Sequence, residues 1–173
     1  TRGSGSASGH GGGIYNGGIL HLLNSTFADN QTGNGGIAGF GSGIAFAGAS
    51  GSGGGIYNTG SLTIRQSTIT GSTIGNNGAG SAPTPGSGGG IKQLNQLILD
   101  NSIIAENSSP TGGPDLDGNV NLTSGINFVG NLIGSSGLGP ALLTGLPLLG
   151  PLEPNGGPTI TRRPSFDSPL VDP

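Results

Sequence analysis

The chain contains no cysteine, no methionine and no tryptophan, and it carries few charged side chains. Without cysteine it forms neither disulfide bonds nor thiolate metal sites. Its five basic and eight acidic residues give a net charge of −3, which provides no positive field to hold nucleic acid or an anionic membrane surface. No apolar run is long enough to cross a bilayer, and no signal-peptide pattern is recognisable in these residues. We therefore expect no nucleic-acid partner and no membrane span in this segment.

Glycine is what the sequence has in abundance. With 40 Gly and 12 Pro among 173 residues, a chain without periodicity would be classed as low-complexity or disordered. One pattern, however, occurs three times, in residues 12–27, 54–69 and 89–104. Each copy opens on Gly-Gly-Ile and ends on a Ser-Thr-Ile-like element at the same spacing, whereas consecutive copies are offset by 42 and then by 35 residues. A fixed unit with connections of variable length is typical of a solenoid.

The second copy shows what one coil of this solenoid looks like. Residues 56–57, 61–65 and 67–70 are three short stretches with alternating apolar residues, and turn residues separate them. A period of two places successive side chains on opposite faces of a strand, so the aliphatic ones can all point inward. The predicted inward positions are Ile14, Leu20, Leu22 and Phe27, then Ile56, Leu62, Ile64 and Ile69, and then Ile91, Leu97, Leu99 and Ile104. The sequence therefore predicts an all-β solenoid with three strands per coil.

Amide side chains recur at two corners of the predicted coil. The first set is Asn16, Asn58 and Gln93, and the second set is Asn24, Gln66 and Asn101. Stacked amides can hydrogen-bond along the axis of a solenoid, as they do in cross-β ladders, so both corners are candidates for such ladders.

The connections between the copies, residues 31–53 and 73–88, are rich in Gly, Ala and Ser. In the first connection we expect an extra degenerate strand at residues 43–46. In the second, Pro83 and Pro85 favour an excursion into solvent.

We interpret residues 1–173 as a single β-helix domain. Residues 1–107 hold the repeat coils, residues 108–140 hold degenerate coils without the Gly-Gly-Ile opening, and residues 141–173 form a tail rich in Leu and Pro. A solenoid must cover the open end of its core, so we predict that this tail caps the last coil. Because the first residue is Thr and not Met, we also expect the chain to be a piece of a longer protein.

The repeat elements are similar to those of a known group of proteins. Gly-Gly-Gly-Ile-Tyr-Asn, Ser-Leu-Thr-Ile and Ser-Thr-Ile resemble the right-handed parallel β-helix repeats of bacterial surface proteins. Residues 113–115, 130–134 and 147–159 resemble the end of choice-of-anchor Q domains. Where that family usually continues with Gly-Ser-Pro-Ala-Ile-Asp, this chain has an altered version at residues 167–172. The resemblance implies a right-handed parallel β-helix that is extracellular and attached to a cell surface, and it supplies no catalytic residue.

Two neighbouring carboxylates form a candidate metal site. Asp115 and Asp117 stand with Gly118 in the sequence Asp-Leu-Asp-Gly, which could present two oxygens to Ca²⁺. The remaining ligands of a calcium-binding loop are absent, so a turn without metal is the alternative. We expect no other cofactor.

Outward-facing residues form two predicted columns. Tyr15, Tyr57 and Lys92 occupy the same outward position of the first strand, where aromatic stacking that ends in a cation is either structural or a platform for sugar rings. Arg65 and Asp100 share an outward position of the second strand and predict an exposed ion pair. His10 and His21 have no obvious partner, and we expect both to be ordinary surface residues.

Together these features predict a non-enzymatic, extracellular structural or adhesive module of a cell-surface protein. Its expected partners are cell-surface glycans or further copies of itself, including assembly into a fibre. The alternative is a carbohydrate-active β-helix enzyme, a polysaccharide lyase or hydrolase. That alternative requires a groove that gathers Asp115, Asp117 or Glu106 with Arg65 or Lys92.

Overall fold

A computed structural model describes residues 3–39, 45–80 and 84–171, and its regular structure is all β. The strands are β1 (Ile14–Asn16), β2 (Ile19–Leu23), β3 (Thr26–Ala28), β4 (Ile56–Asn58), β5 (Ser61–Arg65), β6 (Thr68–Thr70), β7 (Ile91–Gln93), β8 (Gln96–Asp100), β9 (Ile103–Ala105), β10 (Leu116–Asn119), β11 (Leu122–Ser124), β12 (Asn127–Val129), β13 (Ser135–Ser136), β14 (Leu142–Leu143), β15 (Leu149–Pro154) and β16 (Ile160–Pro164). The described residues hold no helix long and apolar enough to cross a membrane.

The strands stack into three parallel sheets, and each coil adds one strand to each sheet. The first sheet has the order β1-β4-β7-β10-β13, the second β2-β5-β8-β11, and the third β3-β6-β9-β12-β14. Equivalent residues of the three repeats pair directly, so that Ile14 lies beside Ile56 and Ile56 beside Ile91. Leu116 continues the same row although its coil lacks the Gly-Gly-Ile opening. The predicted all-β, parallel β-helix solenoid is therefore confirmed.

The core lies between the three sheets and is formed by the predicted inward residues. Ile56, Leu62, Ile64 and Ile69 are all 0% exposed, and their equivalents in the third repeat are buried to the same degree. Each such side chain contributes about 1.5–3 kcal/mol relative to an exposed position. The equivalents in the first repeat, Ile14, Leu20 and Phe27, pack against this core but are only partly buried.

Axial hydrogen bonds between polar side chains hold the first corner. Asn16 Nδ2 donates to Asn58 Oδ1 at 2.6 Å, and Asn58 Nδ2 donates to Gln93 Oε1 at 2.6 Å, which confirms the first amide ladder. The next position in the column is Gly118, which has no side chain to continue the ladder, and Gln93 Nε2 is buried without a partner.

The second corner works differently from the prediction. Asn24, Gln66 and Asn101 adopt left-handed backbone conformations, with φ of 49°, 47° and 45°. The axial bonds here involve the inward-facing serines instead. Ser25 N donates to Ser67 Oγ at 3.1 Å, and Ser67 N donates to Ser102 Oγ at 3.3 Å. Asn and Gly tolerate the left-handed region best, which explains why asparagine recurs at this turn.

The Gly-rich connections are extended segments that pack against one another beside the β-helix. The backbone hydrogen bonds between them recur at every third residue. Residues 5, 8 and 11 donate backbone N–H groups to the carbonyls of residues 46, 49 and 52, and residues 32, 35 and 38 donate to those of residues 73, 76 and 79. A period of three is typical of polyproline II conformation. Glycine is required where these segments touch, because a Cβ on Gly48 would lie 1.8 Å from the carbonyl oxygen of Ser6.

The expected strand at residues 43–46 is not found in the part that can be assessed. Residues 43 and 44 lie outside the described residues, and residues 45–52 contain no strand of two or more residues because they belong to the Gly-rich bundle. Pro83 also lies outside the described residues, so the excursion predicted there stays a prediction.

The C-terminal tail covers one end of the core and then one side of the helix. Leu142 extends the third sheet beyond β12 and packs against the core together with Leu138. The antiparallel hairpin β15–β16 follows, and Arg162 on β16 donates to Thr70 Oγ1 at 2.9 Å on the third sheet. Phe128, which points away from the core, is 1% exposed and lines a cavity of about 260 Å³ with Pro164 of the tail. The hairpin was not predicted.

Candidate functional site

The predicted column of outward residues exists on the first sheet. Tyr15 pairs in register with Tyr57, Tyr57 with Lys92, and Lys92 with Asp117. The centroids of the two tyrosine rings lie 5.4 Å apart, with 23° between the ring planes, so the rings are stacked. Tyr15 is 59% exposed, and the column therefore presents an aromatic surface to solvent.

His10 extends this aromatic cluster, which sequence reasoning missed. Its ring stacks on Tyr57 with 4.3 Å between centroids and 14° between planes. His10 Nδ1 accepts a hydrogen bond from Ser52 N at 2.9 Å, so the neutral ring carries its proton on Nε2. His10 lies outside the repeated unit, in the Gly-rich bundle, and no spacing in the sequence indicated that this segment runs beside β4.

Lys92 and Asp117 close the other end of the column. Lys92 Nζ lies 2.5 Å from Asp117 Oδ2, and the two side chains are 22% and 20% exposed. The cation of the predicted column is thus neutralised by a neighbouring carboxylate. We call Tyr15, Tyr57, His10, Lys92 and Asp117 the aromatic column.

Asp115 lies elsewhere, at the corner between the third and first sheets, and is 2% exposed. Its Oδ1 accepts from Asn107 N at 3.0 Å and from Asn107 Nδ2 at 2.9 Å, and its Oδ2 accepts from Asn131 N at 2.7 Å. Burial raises the pKa of Asp115 and the nearby charge of Glu106 adds to this effect, while the hydrogen bonds from Asn107 and Asn131 oppose it. Asn107 Oδ1 accepts from Ser72 N at 2.9 Å in the preceding coil, so Asp115 supplies the next acceptor of an axial ladder.

The two carboxylates of the predicted calcium site therefore take different partners. Asp117 is paired with Lys92, whereas Asp115 is held by Asn107 and Asn131. Across residues 3–39, 45–80 and 84–171, no group of three or more His, Asp or Glu side chains is placed to hold a metal ion. The calcium site stays a prediction.

A cleft of about 300 Å³ adjoins Asp115 and is also lined by Glu106 and Asn131. Glu106 Oε2 receives a hydrogen bond of 2.8 Å from Arg162 Nη1 of the tail. The predicted Arg65–Asp100 ion pair forms on the second sheet, with 3.7 Å between Nε and Oδ2. The charged groups that an enzyme would have to gather are thus distributed over three places: the first sheet, the second sheet and this cleft.

Comparisons with protein-family models, with curated proteins and with solved structures found no match to this chain. The parallel β-helix fold is shown by the three parallel sheets of the structure. The resemblance to choice-of-anchor Q domains stays a prediction.

Proposed function

We propose that this chain is an extracellular structural or adhesive β-helix module of a cell-surface protein, and that the aromatic column is its contact surface for glycans. The observation that supports the proposal is the exposed ring of Tyr15, which stacks on the half-buried ring of Tyr57 on the first sheet. Aromatic side chains combine a large apolar face with a polar tip, which suits contact with sugar rings that have apolar faces and hydroxyl edges.

The rest of the column complements this chemistry. His10 Nε2, the tyrosine hydroxyls and Lys92 can donate hydrogen bonds, while the carboxylate of Asp117 accepts them. Sugar hydroxyls do both. The side chains lie on successive rungs of one parallel sheet, whose spacing of about 4.8 Å is set by backbone hydrogen bonding. Because the backbone holds this spacing, the rings lose little freedom when a ligand binds.

The structural role rests on the core. Aliphatic rows run through the coils, and polar ladders connect successive coils at the corners. Such an arrangement gives a stiff body in which each coil is supported by its neighbours. The extracellular location is proposed from the resemblance of the repeats to bacterial surface proteins.

Glycan binding is tested by measuring association of the purified chain with a panel of immobilised neutral and acidic polysaccharides. We expect Tyr15→Ala to weaken binding about tenfold, which corresponds to about 1.4 kcal/mol. Leu23→Ala is the matched control, because Leu23 is also exposed, at 55%, but lies on the second sheet. Equal binding by both variants, or no binding by the unmodified chain, would rule out the aromatic column as the contact surface.

The alternative, a carbohydrate-active enzyme, has one observation in its favour. Asp115, whose pKa is raised by burial, shares a cleft with Glu106, and two carboxyl groups that line one cleft are the pattern of glycoside hydrolysis. Both oxygens of Asp115, however, already accept N–H groups that hold the corner together. Depolymerisation of an acidic polysaccharide in the presence of Ca²⁺, abolished in Glu106→Gln, would favour the enzyme over the adhesive module.

A further inference from the structure

His10 is held against Tyr57 by two contacts. Its ring stacks on the ring of Tyr57, with 4.3 Å between centroids and 14° between planes. Its Nδ1 accepts a hydrogen bond of 2.9 Å from Ser52 N, which sets how the ring is turned. Tyr57 is half-buried, whereas Tyr15, its neighbour in register, is 59% exposed. His10 itself is exposed. The imidazole therefore covers one face of the Tyr57 ring while it stays in contact with solvent.

We propose that His10 is a pH-dependent cover of Tyr57. When the imidazole takes up a proton, its bond to Ser52 breaks and the ring moves off Tyr57, which exposes a second tyrosine face on the first sheet. The proton comes from solvent, is held on Nδ1 and returns to solvent when the pH rises again, and no other covalent bond changes. This inference concerns the surface of the aromatic column and does not require that the column bind glycans.

The hydrogen bond from Ser52 requires the neutral imidazole. In that form one ring nitrogen accepts and the other donates, whereas both nitrogens of the imidazolium are donors. Because Nδ1 of His10 lies 2.9 Å from Ser52 N, protonation in this position would direct two N–H groups at each other. A turn of the ring by half a revolution does not restore the bond, since it places a C–H group where Nδ1 was. The imidazolium therefore has to leave its position beside Ser52.

The backbone on either side of His10 is fixed, so the side chain is the part that moves. Ser8 N donates to Ala49 O at 2.9 Å, and Gly11 N donates to Ser52 O at 2.9 Å. The bond from Ser52 N to His10 lies in an exposed part of the structure, so water can replace the acceptor that this N–H loses. The imidazolium is hydrated in the same way once it turns into solvent. The change therefore stays local to this side chain and the face that it covers.

The charges around His10 neither hold nor repel the imidazolium strongly. The segment that contains Ser52, residues 45–53, has no charged or titratable side chain. The first sheet contributes the phenol of Tyr57 and, in register with it, the phenol of Tyr15 and the Lys92 side chain, which is paired with Asp117. The attraction between a cation and a tyrosine face favours retention of the ring. The ring moves only if the lost contact with Ser52 and the hydration of the exposed cation outweigh this attraction, and retention of the ring is thus the competing outcome.

The test is NMR spectroscopy of the full chain at about pH 8 and about pH 5, between which histidine ordinarily changes its charge. In the acidic sample we expect the nuclear Overhauser effects between the rings of His10 and Tyr57 to be lost. The protection factor of the Ser52 N–H against hydrogen exchange should fall about tenfold, as for the loss of one hydrogen bond. A neutral, soluble paramagnetic probe should broaden the ring signals of Tyr57 more strongly than in the neutral sample. An imidazolium that keeps its contacts with Tyr57, or an unchanged Ser52 amide, would overturn the proposal.

The two histidines of the chain provide a matched pair of variants. His10→Asn removes the ring and its proton uptake but keeps a side-chain acceptor for Ser52 N, so the probe should reach Tyr57 equally well at both pH values. His21→Asn replaces the other histidine, which lies on β2 in the second sheet, and should keep the full response of Tyr57. A response that persists in His10→Asn, or that disappears in His21→Asn, would show that another group controls Tyr57.

The cover and the proposed glycan contact can fail independently. The NMR measurements use no ligand, and the binding test with Tyr15→Ala is made at about pH 8, where histidine is ordinarily neutral. Exposure of Tyr57 in acid without any glycan binding would support the cover and rule out the glycan contact. Glycan binding that depends on Tyr15, with Tyr57 covered at both pH values, would overturn the cover alone.

Discussion

Asn58 and Gln93 are neighbours in one amide ladder, yet replacing them with apolar residues should have opposite effects. Asn58 is 0% exposed, and its Nδ2 donates to Gln93 Oε1, to Gly60 O and to Gln96 O, at 2.6, 3.1 and 3.0 Å. Its Oδ1 accepts from Asn16 Nδ2 at 2.6 Å. We predict that Asn58→Leu, which conserves volume but removes every one of these bonds, destabilises the fold strongly.

The magnitude follows from the groups that lose their partners. Asn16 Nδ2 still donates to Ser61 O, and Gly60 N still donates to Asn16 O, so both donors keep a hydrogen-bond acceptor. Gln93 Oε1 and Gln96 O both lose the hydrogen bond that Asn58 Nδ2 donates to them. Gln93 Nε2 has no partner even before the substitution. At about 1–3 kcal/mol for a buried group left unsatisfied, the loss at Gln93 costs roughly 1–3 kcal/mol, whereas Gln96 is exposed and water can replace the donor to its carbonyl. This is a large part of the stability of a typical domain.

Gln93→Met should instead be neutral or stabilising by up to about 1 kcal/mol. The substitution removes the buried Nε2 that has no partner, and Asn58 Nδ2 keeps two carbonyl acceptors. Urea unfolding followed by circular dichroism gives both free energies, and the double variant gives the coupling. The reasoning fails if Asn58→Leu costs less than about 0.5 kcal/mol, or if Gln93→Met costs as much as Asn58→Leu.

Three further predictions concern other parts of the fold. Because the pKa of Asp115 is raised above its ordinary value of 3.8, the folded chain holds this proton more tightly than the unfolded chain. We therefore expect the urea midpoint of the unmodified chain, minus that of Asp115→Asn, to fall as the pH rises from below 3.8 through the folded pKa. A difference that does not change with pH would contradict this. Gly48→Ala should destabilise by more than 1 kcal/mol, as its Cβ would lie 1.8 Å from Ser6 O, whereas Gly112→Ala, with no atom within 4 Å, should be tolerated in the same assay. Arg162→Met should speed proteolysis of the tail because it removes the bond to Glu106, and an unchanged cleavage rate would show that the hairpin is held by other contacts.

The coils could be predicted from the sequence because their inward residues recur at fixed spacing. Ile14, Ile56 and Ile91 each follow Gly-Gly, and the structure pairs them directly. The same spacing predicts that Tyr15 lies beside Tyr57, so the sequence alone indicates one part of the candidate site. Register is fixed in such strands since a slip of one residue would turn every aliphatic side chain outward.

Features outside the repeated unit could not be predicted in this way. His10 reaches Tyr57 through a Gly-rich segment whose three-residue period carries no apolar alternation. The role of Asp115 depends on the short connection after Asn107, which lets a residue at the start of the fourth coil complete a ladder begun in earlier coils. The Asp-Leu-Asp-Gly pattern predicts that Asp115 and Asp117 act together, whereas in the structure Asp115 accepts hydrogen bonds from Asn107 and Asn131.

The position of the tail limits where a partner can bind along the side of the helix. The outer face of the third sheet is covered, since Phe128 is buried beneath the tail and Arg162 is bonded to Thr70. The second sheet exposes aliphatic side chains such as Leu23, whereas the first sheet exposes the aromatic column. A lateral adhesive contact therefore has two sheet faces available, of which one carries the aromatic column and the other mixes aliphatic side chains with polar ones such as the Arg65–Asp100 ion pair. Sugar rings suit the first face, so loss of glycan binding in Tyr15→Ala but not in Leu23→Ala would connect the chemistry of the ligand to the face that binds it.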